Sequence, residues 1–356
     1  MDEKYQAVIA IPPGETLAEM LEDREMSQKD LANRTGLTPK HINEIIQAKA
    51  PITVDTALKF EAVLGTPASF WTNLEANYQE TLARLSVEAA LESEIPLLGQ
   101  IPYAELAKLG LVKVTRNNRE RVLSAREFFS VASLERLPEI VPAAFRTATA
   151  HEASPLALAA WLRCGERAAQ AMSVSSFQKD KLKASLPALR SLTLQPQQTI
   201  QSKLQEICSE SGVAVVFVPH LPKTYVHGAA YWLSPQRAVV QMSFRRKYAD
   251  VFWFSFFHEI GHILLGHSKK EVFISYDTPG TASLKEEGEA DRFAADVLIP
   301  SSAYRAFVKK GDYSVFAIRA FADEINIHPG IVVGRLQHDR HLIYQQANQL
   351  REQYEF

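Results

Sequence analysis

His258, Glu259 and His262 stand in the order His-Glu-x-x-His in the C-terminal third of the chain. Four residues advance a helix by about 400°, so both imidazoles project from one side, a turn apart. Neutral imidazoles at this spacing are zinc-type ligands, and a glutamate beside them is placed to take a proton from a water at the ion. Such an ion needs a third protein ligand and one open position. The surrounding residues, Phe252 to Leu265, are apolar nearly all round. Two histidines and a glutamate in that setting would be costly without a metal or partners.

The third ligand is not the metzincin histidine, because Leu265 and Ser268 occupy the positions where that arrangement needs Gly and His. His267 follows His262 by five residues, about 140° round the helix, and is poorly placed to join the same ion. A second helix offers Glu286, Glu287 and Glu289. Glu287 is preferred because Asp291 lies one turn further on, where its carboxylate orients a ligating imidazole. Glu289 is the runner-up, and Glu286 points elsewhere.

These residues need elements to hold them. Val213–Val218, Gly228–Leu233 and Ala238–Met242 read as strands, and 272–275 as a short fourth. Tyr248–Gly266 reads as a long apolar helix and Lys285–Leu298 as an amphipathic one, ended by Pro300. Residues 82–200 are mostly helical, with joints at Pro96, Gly99–Pro102 and Gly110. Their basic stretch from Lys108 to Arg126 reads as a solvated surface.

The N-terminal part has a different grammar. Ser27 caps one helix and Gly36 stops it; Thr38 caps the next, with Pro39 in its first turn. Helical patterns over Leu17–Leu21, Val54–Leu64 and Pro67–Thr81 complete five helices. The second and third make a helix-turn-helix. Thr38, Lys40, His41 and Asn43 then face outward where base edges are met, with Gln28 near a phosphate or an adjacent base. Residues 1–80 carry seven Lys/Arg against thirteen Asp/Glu, so phosphate affinity must come from the local face of Lys29, Arg34, Lys40 and Lys49.

At 356 residues, two or three domains are expected. A net charge of −2 gives no whole-protein case for nucleic acid or membrane affinity. Two distant cysteines, Cys164 and Cys208, allow one bridge at most and suggest no disulfide framework, which fits a reducing compartment. The start is not a secretory signal and no apolar run spans a bilayer, so a cytoplasmic location without membrane partners is expected.

Residues 12–80, through Met26–Ala32 and Ile45–Thr53, resemble the phage-repressor-like class and within it the HigA-type antitoxins. Phe252–Leu265 and Glu287–Pro300 resemble the ImmA/IrrE metallopeptidase family. The resemblance implies a gluzincin-like site: His258, His262 and Glu287 hold Zn2+, Glu259 is the general base, and the substrate is a protein, often a DNA-bound repressor. It also likens His227–Trp232 to the family's edge-strand segment, where Tyr231 or His227 would stabilise an oxyanion or contact substrate, the other reading of Tyr231 being a packed strand aromatic.

The expected architecture is mainly α with a small α+β part. A five-helix helix-turn-helix domain spans 1–82, a helical middle region 83–200, a gluzincin-like α+β metallopeptidase domain 201–346, and a tail 347–356. The expected function is a DNA-binding regulatory zinc metalloprotease acting on a repressor or toxin, as a homodimer on operator DNA. The alternative is a non-proteolytic regulator or antitoxin with a structural or sensory metal.

Overall fold

The computed structural model describes residues 9–141, 153–243, 245, 247–267, 272–276 and 284–354. The chain divides into two compact units, Met1–Ser93 and Glu94–Phe356. The fold is mainly α, with a four-stranded sheet in the second unit.

In the first unit, α1 (Pro13–Asp23), α2 (Gln28–Thr35), α3 (Pro39–Ile46), α4 (Val54–Leu64) and α5 (Ala68–Glu94) follow in order. Ser27 accepts from the Asp30 N–H at 3.1 Å and Thr38 from the His41 N–H at 3.1 Å. Both caps satisfy donors that a first helical turn leaves open. Gly36 ends α2 at φ +71°, a conformation that costs glycine no Cβ clash. Leu17, Leu31, Ile42, Phe60 and Trp71 form the fully buried core. A Cβ on Gly14 would stand 2.1 Å from the Ile45 carbonyl oxygen, so α1 crosses the end of α3 only because position 14 has no side chain. The expected boundary between residues 82 and 83 falls inside α5, which is 27 residues long.

In the second unit, α6 (Tyr103–Lys108), α7 (Asn118–Phe129), α8 (Pro155–Ala171), α9 (Lys179–Ser191) and α10 (Gln197–Ser209) precede the sheet. One member of the basic stretch departs from the solvated reading. The Arg126 guanidinium grips the carboxylate of Glu94, 1% exposed, with bonds of 2.8 and 3.0 Å. Burial alone would raise the Glu94 pKa, but the bonds from Arg126, Ser133 and the Leu134 N–H hold it below the ordinary carboxylate value.

The sheet runs β1 (Val213–Phe217), β3 (Arg237–Met242), β2 (Val226–Ser234), β4 (Phe273–Tyr276). β1 is parallel to β3, and β2 is antiparallel to both its neighbours. This corrects the expectation that His227–Trp232 is an edge strand: β2 is interior, and β4 takes the edge. Alternation separates the faces. Val213, Val215, Ala230, Val240 and Met242 pack with α11 (Ala249–Leu265). Tyr231, Val239 and Gln241 lie on the opposite face, where Gln241 Nε2 donates to the Trp161 carbonyl of α8 at 2.7 Å.

α12 (Leu284–Leu298) packs across α11, followed by α13 (Ser301–Lys310), α14 (Val315–Glu324) and α15 (Pro329–His338). The expected tail is corrected too. Arg351 binds Asp250 through two bonds of 3.1 and 2.9 Å, and the buried Tyr354 hydroxyl accepts from Trp253 Nε1 at 2.9 Å. Residues 347–354 therefore belong to the packed unit, and 355–356 lie outside the described residues. Among the described residues, no helix is long and apolar enough to cross a membrane. Cys164 and Cys208 are free and buried, and burial pushes both thiols up to about 12.

Candidate metal centre and nucleic-acid interface

α11 is apolar enough to be buried almost throughout, which carries His258 (5% exposed), Glu259 (0%) and His262 (0%) into the interior. Gly261 makes the next step possible. A Cβ there would meet Phe293 Cδ1 at 3.0 Å and Ala290 Cα at 3.4 Å, so α12 lies tight against α11. That approach brings Glu287 to the two histidines. His258 Nε2 and His262 Nε2 are 2.9 Å apart, and the Glu287 carboxylate lies 3.1 Å from the first and 3.6 Å from the second. One ligand atom from each residue falls within 4.8 Å of the others.

The electrostatics of this pocket fit a cation. Burial alone would lower the His258 pKa, but bonds to Asp291 and Glu287 and the charges of Glu259 and Glu287 raise it to about 10. Burial takes His262 down to about 2, and the charges of His258 and His267 add to that. The carboxylates of Glu259, Glu287 and Asp291 surround His258 with negative charge, which favours a cation there. Two imidazole nitrogens and a carboxylate oxygen converging on one point are the N/O donor set of a zinc-type site.

Asp291 Oδ1 is 2.9 Å from His258 Nδ1, the nitrogen turned away from the cluster. Glu289 does not join the three. Its Oε2 lies 3.1 Å from Nε2 of His267, whose Nδ1 is 3.2 Å from Nδ1 of His262. Helical extrapolation missed this contact because Gly266 turns the chain at φ +83°, so position 267 no longer follows the helix. Gly228 was also missed. A Cβ on it would stand 2.8 Å from Glu259 Oε1, so β2 backs directly onto the glutamate. The Phe273 ring of β4 stacks on His262 with centroids 4.4 Å apart.

Tyr231 is not brought to this site. It is on the other face of β2, and its hydroxyl donates to Gln241 Oε1 at 3.0 Å, which corrects its proposed oxyanion or substrate role. Burial is the main reason its pKa stands well above the ordinary value. His227 is buried in β2 beside the bulge between Val226 and Gly228.

In the first unit, Gln28, Thr38, Lys40 and Asn43 are exposed and His41 is half-buried. Thr38 is committed to its cap. Lys40 lies 3.7 Å from Glu44, and Asn43 accepts from Gln47. Lys40 keeps 84% of its side chain exposed, so its cation is available from the α3 surface.

Residues 17–71 match the family described as Helix-turn-helix, and residues 208–337 match a peptidase family described as IrrE N-terminal-like domain. Virulence-associated protein I of Dichelobacter nodosus is 37% identical over 75 residues, which cover 21% of this chain and 69% of that protein. Among solved structures, an addiction module antidote protein of the HigA family from Coxiella burnetii is 34% identical, with a TM-score of 0.22. It covers 24% of this chain and 94% of that one. The Pseudomonas aeruginosa antitoxin HigA with higBA promoter is 29% identical, covers 24% of this chain and 95% of that one, and has a TM-score of 0.23. The chain belongs, through its first unit, to the helix-turn-helix family. Its second unit carries an IrrE N-terminal-like peptidase domain.

Proposed function

We propose that this chain is a DNA-binding regulatory zinc metalloprotease that cleaves a protein partner, a repressor or a toxin. The observation that carries the reading is the convergence of His258, His262 and Glu287 beside the buried carboxylate of Glu259. His258, His262 and Glu287 would hold the ion. When bound, zinc supplies Lewis acidity to a peptide carbonyl and to a water. Asp291 fixes the His258 ring by accepting from Nδ1, which leaves Nε2 free to ligate. Glu259 takes a proton from the attacking water onto its carboxylate and returns it to the leaving amine. Gly228 keeps the space that the carboxylate needs.

Two further features support a peptide substrate and a DNA partner. β4 is an edge strand next to His262, and among the described residues nothing pairs with its outer side, so an extended peptide can add there by backbone bonding. α3 presents Lys40, His41 and Asn43, with Gln28 at the start of α2, toward operator DNA. Helix-turn-helix domains of this kind read two half-sites as homodimers, and the reading places the protein in the cytoplasm.

Glu259→Gln separates the activities. The variant keeps its zinc and its operator affinity and fails to cleave a repressor or toxin partner, with products read by mass spectrometry. Cleavage at the wild-type rate by Glu259→Gln removes Glu259 from the mechanism. A wild type that binds zinc and cleaves neither partner leaves a regulator with a structural or sensory metal.

A further inference from the structure

Each histidine ligand has a nitrogen facing the cluster and a nitrogen facing away. For His258 the outward nitrogen meets Asp291 directly. For His262 it meets a second imidazole, His267, which meets the carboxylate of Glu289 in turn. His267 follows the helix-ending Gly266 and its side chain is only 9% exposed, so it is held between these two partners. Both anchoring carboxylates, Glu289 and Asp291, are on α12, the helix that also carries Glu287.

We propose that His267 and Glu289 are positioning residues that lock the His262 ring into its metal-ligating tautomer. The inference rests on reading His258, His262 and Glu287 as a metal centre. A single proton arrangement satisfies every contact. His262 needs a lone pair on Nε2, so its proton is on Nδ1, where it donates to Nδ1 of His267. His267 then carries its own proton on Nε2 and donates it to Glu289 Oε2. The ring is thereby fixed in tautomer and in rotation about χ2. A glutamine at 267 can repeat the pattern, since its amide oxygen accepts and its nitrogen donates; a phenylalanine fills the space and does neither.

The test measures zinc affinity of the full-length protein by competition with a chromophoric chelator, using Zn2+ alone as the probe. His267→Phe weakens zinc binding by roughly 10- to 100-fold, the range for losing an outer partner of a ligating histidine. His267→Gln restores affinity to within a few-fold of wild type. Glu289→Leu weakens binding in the wild-type background and adds nothing to His267→Phe, because the relay is already cut. Far-UV circular dichroism and the urea midpoint check that each variant folds. If His267→Phe does not fold, Glu289→Leu alone carries the test, because that side chain is one-third exposed. Equal affinity in His267→Phe and wild type overturns the inference. So does a His267→Gln variant as weak as His267→Phe, which would reduce the residue to packing. A wild type that takes up no zinc instead overturns the metal centre itself, and the relay with it.

Discussion

Replacing Arg351 with methionine tests how firmly residues 347–354 belong to the second unit. The Asp250–Arg351 pair is two-pronged, at 3.1 and 2.9 Å, and its side chains are 8% and 10% exposed. The guanidinium also donates to Gln337 Oε1 at 3.3 Å and lies 3.9 Å from the Tyr248 ring centroid. Methionine keeps most of the volume and removes the charge, so a buried carboxylate is left without its cation. Breaking such a pair costs about 3–5 kcal/mol. That is a large part of the 5–15 kcal/mol that holds a typical domain together. With a urea slope of about 2–3 kcal/mol per molar, the unfolding midpoint falls by roughly 1–2.5 M.

The pH dependence gives a second check. Burial already holds the Asp250 pKa above its ordinary value, and Arg351 is the main group pulling it down. Without Arg351 the folded-state pKa rises further, while the unfolded value stays near 3.9. The native state of the variant therefore binds a proton more tightly than the unfolded state. Its deficit is full at neutral pH and shrinks as pH falls through the folded-state pKa. Adding Asp250→Asn to Arg351→Met recovers part of the loss at pH 7. An unchanged midpoint, or a deficit that deepens on acidification, refutes the account of this pair.

Two other perturbations follow from the same geometry. Gly228→Ala places a methyl group 2.8 Å from Glu259 Oε1, costs about 1–3 kcal/mol by overpacking, and displaces the carboxylate. Partner cleavage falls about 100-fold while zinc content stays at the wild-type level; wild-type turnover would show that the Glu259 position is not critical. Lys40→Ala lowers operator affinity about equally across DNA sequences and reduces the salt slope by about one, measured by fluorescence anisotropy at several salt concentrations. An unchanged slope would take Lys40 off the phosphate backbone.

Much of the site was legible because its determinants are local. The His258–His262 spacing and the four-residue step from Glu287 to Asp291 turn directly into shared helix faces. The Ser27 and Thr38 caps and the αL turn at Gly36 are equally local, and they set out α2 and α3. What was not legible depends on pairings between distant residues. β2 becomes interior only because β4 closes its outer side some forty residues later in the chain. The face of Tyr231 is set by its register with Val239, and its partner Gln241 is on another strand. His267 could be placed only once Gly266 was known to turn the chain there. Arg351 and Tyr354 sit in a polar segment with no helical or strand period, and their partners, Asp250 and Trp253, lie about a hundred residues earlier. A short polar end with no periodicity reads as a tail until its buried partners are seen.

The most direct test of the central claim is the zinc content of the purified full-length protein, determined by elemental mass spectrometry after dialysis, for wild type, Glu287→Ala and Glu286→Ala. Wild type and Glu286→Ala carry about one zinc per chain and Glu287→Ala loses the metal, because among the described residues only Glu287 reaches both histidines. A wild type that refuses added zinc at neutral pH, or a Glu287→Ala variant that keeps a full equivalent, contradicts the claim.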